Sequence, residues 1–225
     1  MNAYIDIHTH HTNPLITSSW GLRNILLHYQ EVPINQFVSA GWHPWHIENH
    51  SLSEIEDRLL KAIQYNNVLA IGECGLDRLT PIPISSQEEV FLIHLKAAHK
   101  TSRPMIIHCV KSYSDLLNIF KQNSPEVPVI LHGFNGNQKQ VEQFLKYNTY
   151  FSFGEALFRQ NQKLTGALDS VPLPRLFLET DDSATSIEKI YIRAGKLLNQ
   201  PVESLKAQLY KNFITIFGDG LVKQD

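Results

Sequence analysis

PMIIHCVKSYSDLLNIFKQNSPEVPVILHGF (104–134) decides the fold. Two apolar, β-branched runs, 104–109 and 127–134, bracket a segment at 112–121 whose apolar residues recur at helical spacing. Two strands joined through a helix run parallel, because a parallel pair needs a crossover. Each strand carries a histidine near its C-terminal end, His108 and His132. In parallel sheets flanked by helices, that end carries the chemistry.

The same alternation extends outward. Upstream, VLAIGECG (68–75) reads as a buried strand and 85–100 as a helix. SLSEIEDRLLKAI (51–63) is a helix with Leu52, Ile55, Leu59 and Ile63 on one face. Ser53 with Glu56, and Ser86 with Glu89, fit capping boxes at the starts of these helices. Downstream, 138–147 is a helix, 150–154 a strand, 160–169 a weaker helix, 175–181 a strand and 187–198 a helix. The final helix, 201–217, starts at Pro201 and stops at Gly218. The first third differs: 4–10, 22–29 and 34–42 read as three strands with links too short for full helices. The expected fold is α/β, a TIM-like (β/α) barrel of seven or eight parallel strands with a degenerate first third.

The chain has 225 residues, 43% of them hydrophobic, which suits one domain spanning 1–225. Twenty Lys+Arg against 22 Asp+Glu give a net charge of −2, which neither favours nor excludes nucleic acid, since a cationic site can sit in a neutral protein. Two cysteines, Cys74 and Cys109, fit no zinc-finger or disulfide pattern. Strand alternation turns both toward the helix layer as buried thiols. No basic-then-apolar leader and no run of ~18 apolar residues is visible, so a soluble, cytoplasmic protein with no membrane partner is expected.

Polar residues at the strand ends form a constellation: His8 and His10, His43, Glu73, His108, His132 and Asp181. Residues i and i+2 on a strand share a face, so His8 and His10 can grip one metal. Asp6, one pair deeper, is expected to hold the other ring nitrogen of a ligand histidine. Four of these histidines, His8, His10, His108 and His132, with the two carboxylates at five strand ends, point to a metal site, and a bridging carboxylate can hold two cations that activate water against a phosphate ester. Asp181 can deprotonate that water, and His43, before Pro44, can donate to a phosphate oxygen or the leaving group. Imidazoles with carboxylates suit Zn, Mn, Co or Ni, whereas Mg prefers oxygen. Trp45 can stack on a base or pack at the rim. Asn135 in HGFNG serves either its loop or a substrate, and Asp77 either positions the loop after Glu73 or caps it. His94 and His99, on a helix, are expected at the surface or an interface, and His11, His28, His46 and His50 show no ligand spacing.

In order along the chain, DIHTH, GWHP, IGECGLD, IIHC, LHGFNG and LETD resemble the signature blocks of the TatD-type metal-dependent deoxyribonucleases, which belong to the amidohydrolase-like barrels. NFITIFG near the C-terminus is similar too. The resemblance implies two divalent metals, one held by His8, His10, Glu73 and Asp181, the other by His108 and His132, with Glu73 bridging. It implies that His43 faces the substrate, that Mg or Mn supports activity, and that the substrate is DNA, at single-stranded ends; the imidazole-rich donor set points instead to Zn as the bound metal. The chain departs from the family where an Arg is common two residues after the strand-five histidine. Val110 stands there, followed by Lys111, which meets phosphate as a point charge without the bidentate fork. The loop after Asp181 is shortened, as is the region between His10 and Gly41, so the chain looks like a shortened branch. Two other functions share these residues: the same site acting on a small phosphoester, amide or lactone, and a metal-stabilised scaffold without activity.

Overall fold

The computed structural model describes residues 3–12 and 19–219. Eight strands form one sheet in sequential order, every neighbouring pair parallel: β1 (Tyr4–Thr9), β2 (Ser19–Leu26), β3 (Val38–Gly41), β4 (Val68–Asp77), β5 (Met105–Val110), β6 (Val129–Leu131), β7 (Thr149–Phe153) and β8 (Leu176–Leu178). The ends meet where Asp181 N donates to His8 O at 3.0 Å and His10 N donates to Asp181 O at 2.9 Å. Parallel crossovers are made by α1 (Leu52–Ala62), α2 (Ile84–Thr101), α3 (Tyr113–Gln122), α4 (Gln138–Phe144) and α5 (Gln162–Ser170), with α6 (Ile187–Leu198) and α7 (Val202–Phe217) following β8. The barrel is the expected one, with eight strands. Among the described residues no helix joins β1 to β2 or β2 to β3, and a short 3₁₀ turn, Pro44–His46, precedes α1.

Two helix starts differ from the sequence reading. Helix α1 is capped two residues early, by Ser51, whose side chain accepts from Glu54 N. Helix α2 begins at Ile84 after Pro83, with no side-chain cap, so Ser86 lies inside its first turn. In both cases a polar residue beyond the true boundary mimics a cap.

The apolar residues form two clusters. The larger joins the helices to the outer strand faces and includes Cys74 and Cys109, as alternation implies. The smaller takes residues from every strand but β3, among them Ile7, Ile106, Ile130 and Phe177, together with Phe213 of α7. His108 and His132 lie two residues beyond Ile106 and Ile130, so period-two alternation stacks them over this inner layer. Glu73 and His8 do not follow that count from Ala70 and Ile7. Both strands shift register there, between Ile71 and Cys74 and between Asp6 and Thr9. A local irregularity re-aims side chains at a sheet end. Glycine makes the first shift feasible. Gly72 (φ +138°) and Gly75 (φ +149°) flank Glu73, and a Cβ on either would strike a carbonyl of β5, that of Ile106 or of His108.

Candidate metal centre

Glu73 lies at the centre of the barrel mouth, its side chain almost sealed from solvent. Its Oε2 faces His8 Nε2 and His10 Nε2, each at 3.5 Å. Its Oε1 faces His132 Nε2 at 2.7 Å, His108 Nδ1 at 2.9 Å and His43 Nε2 at 3.3 Å. Asp181 Oδ1 stands 3.6 Å from His8 Nε2 and 3.4 Å from His10 Nε2. The structure thus brings together His8, His10, His43, Glu73, His108, His132 and Asp181. Their donor atoms fall into three mutually close trios: His8, His10 and Asp181; His8, Glu73 and His132; His43, Glu73 and His108.

These donors fit a cation. Both ring nitrogens of His8 are buried and lack a hydrogen-bond partner, which buried polar groups rarely do. Ligands at ~2.0–2.2 Å from one tetrahedral cation stand about 3.3–3.6 Å apart. The gaps from His8 and His10 to Glu73 and Asp181, 3.4–3.6 Å, match that spacing. The His108 and His132 side is drawn in to charge-assisted hydrogen-bond distances on Glu73.

Carboxylates and an amide hold these groups from behind. Asp77 Oδ2 accepts from His108 Nε2 at 3.0 Å, which leaves Nδ1 directed at Glu73, while Asp77 Oδ1 caps Leu79 N at 2.7 Å. Asp77 thus caps its loop, one of the two roles expected, and also holds His108, which neither reading named. Glu179 Oε1 lies 3.6 Å from His132 Nδ1 and accepts from Gly133 N. Asn24 of β2 accepts from Glu73 N at 2.8 Å and donates to Glu73 Oε2 at 3.1 Å. Sequence reasoning missed Asn24 and Glu179. The Glu of LETD was a visible signal, whereas Asn24 stands beside Arg23 in a strand with no sign of which polar residue turns to the mouth. The expected role of Asp6 is overturned: its carboxylate accepts from Thr180 N (2.9 Å) and Thr180 Oγ1 (2.7 Å), not from a ligand imidazole. The register shift after Asp6 breaks the alternation that would have aligned it with His8. Asp77→Ala should remove the acceptor that orients His108 Nε2 and weaken metal affinity about 10–100-fold. Chelator-competition titration reads this, and unchanged affinity would restrict Asp77 to its loop.

The electrostatics favour positive charge in the mouth. Burial alone would raise Glu73, but His132 first, then hydrogen bonds from His10, His108 and His132, hold it well below the usual carboxylate range. Burial likewise opposes ionisation of Asp181, and His8 outweighs it and keeps the group a carboxylate. Burial and His132 disfavour protonation of His8, yet Asp181 and Glu73 push it up to about 9. His43 differs, because burial dominates and lowers it despite Glu73. Its Nδ1 accepts from Trp45 N at 3.2 Å, so in the neutral ring the proton sits on Nε2. His43 thereby presents a donor to the mouth, not a free lone pair.

The mouth is a cavity of about 310 Å³ whose lining includes His10, Leu26, Trp45, Glu73 and Asp181. Trp45 is 55% exposed, its Nε1 tied to Asp77 Oδ2 at 2.7 Å, so it is not packed away at the rim. Lys111 and Asn135 are exposed after β5 and β6 and do not line this cavity. His94 is fully buried, contrary to expectation, with Nε2 accepting from Trp42 N (3.0 Å) and Nδ1 against Val90 O (2.8 Å). It faces inward on α2, on the face of Val90, Phe91 and Ala98, and caps the end of β3; the helical spacing carried that burial, but its partner Trp42 lies 52 residues away. His99, half-buried, accepts from Glu126 N at 3.1 Å.

A parallel β/α barrel with imidazoles and carboxylates converging at its C-terminal mouth is the build of a metal-dependent hydrolase. Comparison with known proteins agrees. The family model described as TatD related DNase matches residues 8–218, and the chain belongs to the TatD family of metal-dependent hydrolases. An uncharacterized metal-dependent hydrolase of Buchnera aphidicola subsp. Baizongia pistaciae is 29% identical, over 92% of this chain and 84% of that protein. The human 3′-5′ RNA nuclease TATDN2 is 34% identical over 63% of this chain, a region that is only 19% of the human protein. The crystal structure of the TatD homologue YjjV from Escherichia coli K12 superposes with a TM-score of 0.83 at 21% identity, covering 96% of this chain and 98% of that one. Among the described residues no helix is long and apolar enough to cross a membrane.

Proposed function

We propose that this chain, as one domain over 1–225, is a cytoplasmic deoxyribonuclease that hydrolyses phosphodiester bonds of DNA with two divalent cations. One observation carries the reading: the two oxygens of Glu73 face different imidazole sets, as a bridging carboxylate requires. His8, His10, Glu73 and Asp181 would hold one cation, and Glu73, His108 and His132 the other. Bound there, the pair would acidify a water and offset charge growing on the phosphoryl oxygens.

The chain's own groups supply the remaining parts. Asp181 Oδ accepts the proton of the attacking water. His43 donates from Nε2 to a phosphate oxygen or the leaving oxygen, and its lowered pKa makes it a neutral donor at pH 7. Trp45 offers an exposed ring, anchored through Nε1, on which a single-stranded base stacks. Lys111 and Asn135, outside the cavity, meet the backbone of a longer substrate. Mg or Mn supports turnover in this reading, and the imidazole-rich donors retain Zn on purification.

Metal-stripped protein resupplied with Mg, Mn or Zn, and given an end-labelled single-stranded oligonucleotide, should shorten it only when metal is present. The same incubation with RNA of that sequence, bis(p-nitrophenyl) phosphate and a lactone separates the alternatives. Turnover of small molecules alone would replace the nuclease reading with a small-ester or lactone hydrolase, and no turnover despite bound metal would leave a scaffold.

A further inference from the structure

The mouth is not an isolated cavity. A second one, of about 200 Å³, shares Asp181 and Asp182 with it and is lined on its far side by Leu157 and Arg159. That volume is below the ~300–1,000 Å³ of pockets for drug-sized ligands, so one base or sugar is the scale it admits. The 3₁₀ turn Glu155–Phe158 walls this cavity, and Phe158 of the same turn lines a third hollow of about 470 Å³ against α6.

The third hollow has a particular chemistry. Lys189, Ile192, Arg193 and Lys196 recur at three- and four-residue spacing, so they form one stripe of α6. Among the described residues no carboxylate lines the hollow, and neither lysine is engaged in an ion pair. Glu188 adjoins Lys189 in sequence but does not line it. Arg193 Nε donates to Leu157 O at 2.9 Å, which fixes the turn against the helix. Phe158 is 46% exposed and Ile192 40%, so both present apolar surface to this hollow. Three cations thus lie in a stripe beside an exposed aromatic ring, in a chain of net charge −2.

We propose that the hollow between the turn Glu155–Phe158 and α6 is a binding track for single-stranded nucleic acid, receiving the part of the substrate that extends away from the mouth. This rests on the nuclease reading above. The lysines and Arg193 neutralise successive phosphates, and Phe158 stacks on a base. Binding of single strands elsewhere combines the same two elements, a cationic groove and an aromatic platform. The mouth and the second cavity share Asp181 and Asp182; the 155–160 segment stands between that cavity, whose lining also carries Glu155 and Glu179, and the cationic third hollow, so the strand would pass over this segment to reach the hollow.

The test uses the metal-loaded protein and a labelled phosphorothioate oligo-dT of about 20 nucleotides, longer than the ~4–16 nucleotides one binding fold covers. Fluorescence anisotropy across a salt series gives affinity and its salt slope. In K189E/K196E, dissociation constants should rise at least about tenfold and the slope of log affinity against log salt should fall by about 1.4, from ~0.7 per phosphate contact. F158A should weaken binding about fivefold or more with the slope unchanged. Turnover of bis(p-nitrophenyl) phosphate, which does not reach the track, should stay at the wild-type level in both and also reports correct folding. Unchanged affinity and slope in K189E/K196E, or no oligo-dT binding by the wild type, would overturn the track. Loss of the nuclease reading would show separately, as wild-type protein that turns over neither DNA nor the small diester with any metal.

Discussion

If the chain holds the two cations proposed, Glu73→Gln should leave at most one of them bound and lower turnover at least about 10³-fold, comparable to losing a principal electrostatic group. The substitution keeps the volume and one oxygen. It cannot keep an acceptor on both sides, because the amide NH₂ must point either at His8 and His10 or at His108, His132 and His43. One side then loses its Glu73 ligand and meets an N–H instead. The metal-free protein gives an independent readout. His8 is raised to about 9, so its contribution to stability is complete below its unfolded value near 6.5 and disappears as pH rises through about 9. Metal-free wild type should therefore lose stability across that window in thermal melts, and metal-free Glu73→Gln should show a smaller loss. Elemental analysis that still finds two ions in the variant would remove Glu73 from the bridging position.

How far the site was visible in the text of the chain depends on distance in sequence. His108 and His132 follow apolar runs by simple alternation, so their place at the mouth was legible from 104–134 alone. Glu73 and His8 were legible as residue types at strand ends. Their aim was not, since it depends on register shifts and on the glycines flanking Glu73. Asp6 shows the cost of assuming unbroken alternation. The supporting groups were hidden for another reason: Asn24 meets Glu73 across 49 residues and His94 meets Trp42 across 52, and no local pattern encodes such pairings. Helix existence came from periodicity, whereas helix starts did not, because serines inside the first turn look like caps. The barrel itself was the most legible feature, since every crossover after β3 leaves a helical segment between two apolar runs.

Asp181→Asn should separate the two roles proposed for this residue, proton transfer and metal holding. Asp181 has φ +54°, a left-handed conformation in which asparagine and aspartate are the favoured non-glycine residues. Asparagine therefore preserves the backbone bonds from Asp181 N to His8 O and from His10 N to Asp181 O that join the barrel's ends. Alanine would disturb both backbone and site, and its effect could not be assigned. The amide oxygen still reaches the position of Oδ1 beside His8 and His10, so metal content should stay near the wild-type value. The amide has no basic oxygen to take a proton from water, and kcat should fall about 10²–10⁴-fold, the usual worth of a general base. Because His8 keeps the wild-type carboxyl depressed, its ionisation sets no limit on activity near neutral pH. The comparison that decides is metal stoichiometry beside kcat. Equal losses in both would make Asp181 only a ligand, and retention of both would place the proton acceptor elsewhere in the mouth.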